Sequence, residues 1–333
     1  MSPIDRRRLV AAGAATMAAP FVARAQSGAS GKLVLYTSQP EKDANQTAAG
    51  YKKANPGVEV EIFRSGTTEV MAKLAAEFSA GQPRPDVLLI ADSVSMEALK
   101  RENRLEAYAP AKTDGFAPEA YDKDKAYFGT KLITTGIAYN KAAKLVPTSW
   151  TDLMKPELKG LISMPSPLYS GAAAIMMGAV TKRPDLGWKF YDALKANETV
   201  AVRGNGAVLK SVATGEKPYG VLVDYLAYNA KAQGSPVEFV FPKEGVTAVT
   251  EPVAMLKTAP NKAAARAFID FILSDDGQKL ALSQGYLAAK ASVGAPPWMP
   301  AGQSANLMPM DIEAVLKTTE DDKRRFADMF GSA

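Results

Sequence analysis

The sequence predicts an α/β protein of two lobes, each a mainly parallel sheet flanked by helices. Two observations carry that prediction. Short apolar strands alternate with helical segments, and the series breaks near residue 134 before it starts again. The 333 residues, 47% hydrophobic and 23% charged, also suffice for two cores.

Residues 27–31 read as a short leader. Leu33-Val34-Leu35-Tyr36 is an apolar strand that runs through Thr37-Ser38 into a polar helix ending near Asn55-Pro56-Gly57. Residues 58–63 alternate with period two and lead to Ser65-Gly66-Thr67-Thr68. The next helix places Val70, Leu74 and Phe78 on one stripe and stops at Gly81 and two prolines. Val87-Leu88-Leu89-Ile90 is continuously apolar, as a strand buried on both faces is, and runs into Asp92-Ser93 and a helix.

Residues 132–138 read as an extended stretch leaving this lobe, and Pro147-Thr148-Ser149-Trp150 as a turn opening a helix. In the second series, residues 161–164 lead to Ser170-Gly171 and an Ala/Met-rich helix, whose Met176-Met177 pair is expected in the core. Residues 200–202 lead to Arg203-Gly204-Asn205-Gly206, and residues 220–223 to Asp224-Tyr225. Strands at 237–240 and 252–256 follow, then an amphipathic helix with Phe268, Phe271 and Ile272, and a final helix over about 310–329. The expected organisation is one lobe over 32–134 plus 250–290, a second over 135–249, and a C-terminal extension over 291–333.

Two residue types are missing. With no Cys, disulfides, thiolate metal sites and Cys nucleophiles are excluded. With no His, the usual proton shuttle and the Ser-His-Asp triad go too. A hydrolase using Ser with Lys is the remaining enzyme class, and no S-x-x-K string stands at a helix start, so no catalytic activity is expected.

Arg6, Arg7 and Arg8 precede an uncharged Ala-rich run over 9–22, and Ala23-Arg24-Ala25 follows. This is the pattern of an export signal over residues 1–25, cleaved near Ala25. The run is short for a membrane span. Arg6-Arg7-Arg8-Leu9-Val10 also resembles a twin-arginine signal, which leaves that route and the general secretory one both open. Removing the tag takes away four Arg and one Asp, so the net charge falls from +5 to +2 with 36 basic and 34 acidic residues. No basic cluster with interleaved aromatics appears, and no nucleic-acid partner is expected.

In open α/β sheets, ligands bind beyond the carboxyl ends of the strands. The turns there hold Ser38, Ser65, Gly66, Thr67, Asp92, Ser170, Gly171, Arg203, Asn205, Asp224 and Tyr225, and Glu251 stands at the return between lobes. Small hydroxyl residues and Gly at helix starts leave backbone N–H groups available to an anion, and Arg203 would add a bidentate clamp. The same residues are ordinary N-caps, so each turn taken alone reads first as a cap, and the case rests on several such turns in two lobes. Asp224, after an apolar strand, would face a cationic group, pair with a Lys or cap its helix.

Several strings together resemble the ferric-ion-binding group of periplasmic ABC-transporter binding proteins. They are the Leu33–Ser38 opening, Arg64-Ser65-Gly66, Gly136-Ile137-Ala138-Tyr139-Asn140, Pro147-Thr148-Ser149-Trp150-Thr151-Asp152-Leu153, Tyr219 to Tyr225, and Phe268-Ile269-Asp270-Phe271-Ile272-Leu273-Ser274 with Gly277-Gln278. The resemblance implies a type II periplasmic binding fold. Two lobes joined by two hinge crossings would close on a ligand and deliver it to an ABC permease in the inner membrane. A periplasmic monomer without cofactor is expected. Two positions depart from the iron binders of that group: Pro40 stands where they carry His, and Leu226 stands where they carry the second of two adjacent tyrosines. The departures favour the group's organic-anion binders, with 2-aminoethylphosphonate first, a sugar phosphate next and a polyamine or thiamine last. Asp224 would then face the amine. The alternative is a ferric site built from Tyr225, Tyr228 and Asp224.

Overall fold

The computed structural model describes residues 28–299 and 306–331. The export signal expected over 1–25 lies outside them.

The first half of the chain forms β1 (Gly31–Thr37), α1 (Glu41–Ala54), β2 (Val58–Arg64), α2 (Thr67–Ser79), β3 (Val87–Leu89), α3 (Ser93–Arg101), β4 (Leu105–Glu106) and β5 (Phe128–Gly129). The second series is β6 (Lys131–Asn140), β7 (Ile162–Pro165), α4 (Gly171–Thr181), α5 (Gly187–Ala196), β8 (Val200–Val202), α6 (Asn205–Thr214), β9 (Tyr219–Val223), α7 (Asp224–Ala232), β10 (Val237–Val240) and β11 (Thr247–Val249). The chain ends with β12 (Pro252–Leu256), α8 (Lys262–Leu273), α9 (Asp275–Ser283), β13 (Leu287–Ala288) and α10 (Ile312–Phe330).

Two sheets result, one ordered β2-β1-β3-β12-β4 with β5 also on β12, the other β10-β6-β9-β7-β8 with β11 and β13 also on β6. In each sheet a single strand opposes its neighbours. β12 runs antiparallel to β3, β4 and β5, and β6 runs antiparallel to β9, β10, β11 and β13. These are the strands by which the chain enters from the other lobe, so the polarity reversal is the signature of the crossing. Thr130 makes the outward crossing, and Thr250 and Glu251 make the return. The two are tied side by side, because Thr130 N–H and Lys131 N–H both donate to the Thr250 carbonyl, at 2.9 and 3.2 Å.

The first sheet is covered on one face by α1, α8 and α9 around Tyr51, Phe268 and Phe271, and on the other by α2 and α3 around Val70, Leu74 and Met96. The second packs Trp150, Phe190 and Tyr191 on one face and Val208 and Val212 on the other. Helix α4 is apolar all round, and nine of its eleven residues, Met176 and Met177 included, are buried. A surface helix carries one apolar stripe; α4 needs none because α10 covers its outer side. The approach requires glycine, since a Cβ on Gly178 would lie 2.6 Å from Val315 Cγ1. Helix α10 anchors Phe326 in the second core while Arg101 of α3 pairs with Glu313, so the helix also touches the first lobe.

Candidate functional site

Between the lobes lies a cavity of about 380 Å³, within the range of small-molecule sites. Its walls come from strand ends and helix starts of both sheets. Among the twelve residues expected at the site, Ser38, Gly66, Thr67, Ser170, Gly171, Arg203, Asn205, Tyr225 and Glu251 line it.

The distribution of helix caps separates this place from the rest of the molecule. Helices α1, α2, α6 and α7 begin at Pro40, Gly66, Gly204 and Val223, and no side chain caps them. All four of these residues line the cavity. Helices α3, α8, α9 and α10 begin elsewhere and are capped by Asp92, Asn261, Ser274 and Asp311. Only α5, at Leu186, is uncapped away from the cavity among the described residues. A fifth start at the cavity, that of α4, is capped by Ser170, whose hydroxyl accepts from Ala173 N–H at 3.3 Å. Helix starts hold first-turn N–H groups without intrahelical partners and about half a positive charge each. Clustered around one space, they form an anion-binding environment.

Two guanidinium groups reinforce it. Arg203, after β8, lies over the Tyr169 ring at 4.7 Å and pairs with Glu69 across the cleft at 2.7 Å. Arg64, at the end of β2, donates to the Gln39 carbonyl at 2.7 Å and to Tyr169 Oη at 3.3 Å. Arg64 and Tyr169 were missed as site residues in the sequence. A basic residue closing an amphipathic strand, just before a small-residue turn, was the available signal for Arg64; Tyr169 had none. Thr67 Oγ1 is buried without a hydrogen-bond partner in a residue that lines the cavity. Asn205 spans the second-lobe wall, donating to Ser170 Oγ at 3.2 Å and accepting from Val223 N–H at 3.3 Å.

The lobes are closed on each other. Thr68 N–H donates to the Tyr169 carbonyl at 3.4 Å. A Cβ on Gly66 would lie 2.5 Å from the Tyr169 ring. A Cβ on Gly171 would likewise lie 2.4 Å from the Ala91 carbonyl oxygen, so both glycines expected at the site stand where the walls touch.

Three expected residues lie elsewhere. Asp224 is fully buried and turned toward β6, accepting from Thr134 Oγ1 at 2.6 Å, Thr134 N–H at 3.2 Å and Tyr225 N–H at 2.7 Å. Burial pushes its carboxyl up to about 6. The expectation that it faces a ligand amine is corrected: the first residue of α7 points back along the sheet. Asp92 caps α3 and borders a second cavity between α3, α4 and α10. Ser65 donates to Glu69 and does not line the cleft.

The alternative iron ligands are also not brought together. Tyr228 stacks on Trp298 at 4.1 Å and is absent from the cavity wall, as is Asp224, so only Tyr225 of the three lines it. Tyr225 packs on Tyr286 at 4.1 Å, and burial raises its phenol well above the ordinary value, which disfavours the phenolate a ferric ion would need. Leu226 lines the cavity where a second tyrosine would be required.

Glu251 lies at the floor, and its carboxylate pairs with Lys131 Nζ at 2.5 Å with both side chains buried. Sequence reasoning did not single out Lys131, which carries no local signal.

The fold and this cleft define a two-lobed binding protein of the periplasmic type. The chain belongs to the bacterial extracellular solute-binding protein family, whose model matches residues 82–312. It is 27% identical over 300 residues to the Fe(3+)-binding periplasmic protein of Serratia marcescens, covering 86% of each chain. In structure it is similar to the periplasmic binding protein AfuA of Actinobacillus pleuropneumoniae, solved with exogenous fructose-6-phosphate bound. The TM-score is 0.82 at 24% identity, over 91% of this chain and 99% of that one. Iron-bound HitA of Pseudomonas aeruginosa shares the fold with a TM-score of 0.77 at 23% identity, over 89% and 99% of the two chains.

Proposed function

We propose that the protein is the periplasmic receptor of an ABC importer and carries a small organic phosphate or phosphonate to its permease by hinge closure. The observation that carries this reading is the convergence of four helix starts without side-chain caps on one cavity that also holds Arg64, Arg203 and the unpartnered Thr67 hydroxyl. A tetrahedral oxyanion satisfies such a set of donors with several short bonds at once. Within that class a hydroxylated phosphate ester now ranks ahead of 2-aminoethylphosphonate. The carboxylate meant for the amine, Asp224, faces Thr134, and Glu251 already has Lys131 as its cation. The fructose-6-phosphate held by AfuA supports the same order. We assign residues 32–129 and 252–286 to one lobe and 131–249 to the other, with the boundary expected at 134 moved to Thr130 because β6 of the second sheet already starts at Lys131. Export follows the signal at residues 1–25.

A ligand that binds only the folded state raises its melting temperature. A thermal-shift screen of the chain from Gln26 onward should therefore respond to sugar phosphates or phosphonates and not to spermidine, thiamine or Fe(III)-citrate. A visible charge-transfer band with Fe(III), and no shift with any phosphorus compound, would overturn the assignment.

A further inference from the structure

We propose that the Lys131–Glu251 ion pair is a hinge pin that fixes the closed angle between the lobes, so that Glu251 and Lys131 act on binding as positioning residues. This rests on the cleft being the ligand site but not on the ligand's chemistry.

The argument starts from where the two charges stand. Lys131 is the first residue of β6, immediately after the outward crossing, and Glu251 is the last residue before β12 on the return. Both strands oppose the rest of their sheets, so each is the element through which one lobe is hung from the other. The pair therefore bolts the two crossings to each other, at 2.5 Å and with side-chain exposures of 4% and 2%. Glu251 also holds φ at +38°, a left-handed backbone that a residue other than glycine keeps only when its surroundings impose it.

Those surroundings are specific. Thr130 Oγ1 donates to the Glu251 carbonyl at 2.8 Å, and Gln278 Nε2 donates to the Thr130 carbonyl at 2.9 Å. Gln39 Nε2 reaches the Glu251 carboxylate at 3.4 Å. Lys131 Nζ lies 4.1 Å from the centre of the Tyr286 ring. Tyr286 stands just before β13, which pairs with the start of β6, and its hydroxyl donates to Asp43 of α1 at 2.6 Å. Tyr286 in turn packs on Tyr225, which lines the cavity. The two crossings at Thr130 and Thr250–Glu251, and the chain entering β13, thus meet one buried cluster that opens into the cavity through Tyr225 and Glu251.

A buried ion pair is weak evidence for stability, because well-packed apolar residues would hold the same space as well or better. What the charges add is a defined geometry. Rotation at Thr130 and Glu251 would separate them or strain the backbone that carries them.

The test uses the absence of native cysteine. Gln82→Cys on the first lobe and Lys210→Cys on the second, both exposed, take spin labels for interlobe distance measurement in ligand-free protein. Glu251→Gln and Lys131→Met should each move the distance distribution toward wider separation. The double variant, which leaves no buried charge unpaired between these two positions, should show the same shift as either single one. The double variant also answers the case in which a single variant does not fold. An unchanged distribution in Lys131→Met or in the double variant would overturn the pin, and would leave Glu251 as a plain wall residue of the cleft. The readout needs no ligand, so failure of the phosphate assignment and failure of the pin are separate results.

Discussion

Gly171 faces Thr67 across the cleft so closely that a Cβ on Gly171 would lie 2.7 Å from the Thr67 hydroxyl oxygen and 2.4 Å from the Ala91 carbonyl oxygen. One residue opens α4 in the second lobe and the other opens α2 in the first, so the contact exists only when the lobes are shut. Gly171→Ala should act as a wedge. Because affinity falls by the fraction of molecules able to close, we expect ligand binding to weaken by about tenfold or more. The melting temperature without ligand should stay close to wild type, because opening the lobes relieves the overlap. Calorimetry and thermal melts of the variant check both halves.

Thr67 yields a prediction of opposite sign for stability and binding. Its buried hydroxyl has no partner. An unsatisfied buried polar group costs about 1–3 kcal/mol. Thr67→Val keeps the shape and removes the hydroxyl, so ligand-free protein should be as stable as wild type or more so, while affinity for the phosphorus ligand falls. Loss of stability in the ligand-free variant would mean that the hydroxyl has a structural partner.

Arg203 and Glu69 span the mouth of the cleft, and both are largely exposed. Exposed ion pairs are screened by salt and add little to folding. Arg203→Gln should leave the thermal melt unchanged, weaken binding, and reduce the loss of affinity between low and high salt. Glu69→Gln frees Arg203 to turn inward and should change affinity much less than Arg203→Gln does. Titrations at two salt concentrations decide this.

Asp224 predicts a pH dependence. Burial raises its carboxyl from 3.8 to about 6. Between those values the folded protein keeps a proton that the unfolded chain has lost, so this group's contribution falls as pH rises through the window and then levels off. A shift of this size corresponds to at most about 3 kcal/mol. Asp224→Asn removes the titration, and denaturant melts from pH 4 to 7 should show wild type losing stability relative to the variant. A parallel pair of curves would contradict the assignment.

Much of this architecture was legible in the sequence because it rests on local pattern. The period-two run over 58–63 became β2, the apolar run at 87–90 holds β3, and the Ala/Met-rich segment became the buried helix α4. Strand ends rich in Gly and hydroxyl residues marked the cleft for the same reason. What the sequence withheld depends on side-chain direction and on long-range pairing. Asp224 occupies a turn at the right end of its strand, yet its carboxylate points to Thr134. Lys131 and Glu251 are 120 positions apart, and nothing local to either announces the other. The caps invert the expectation too. Polar caps lie mostly outside the cleft, whereas proline, glycine and valine at the inner helix starts supply no side-chain cap.

The central claim is that the cleft recognises an oxyanion on a small organic molecule. It is tested most directly by isothermal titration of the mature chain with matched pairs: fructose 6-phosphate and fructose, glycerol 3-phosphate and glycerol, 2-aminoethylphosphonate and ethylamine. The account predicts saturable binding of at least one phosphorus compound and none of its phosphorus-free partner. Equal binding of both members of a pair, or binding of Fe(III) alone, would contradict it.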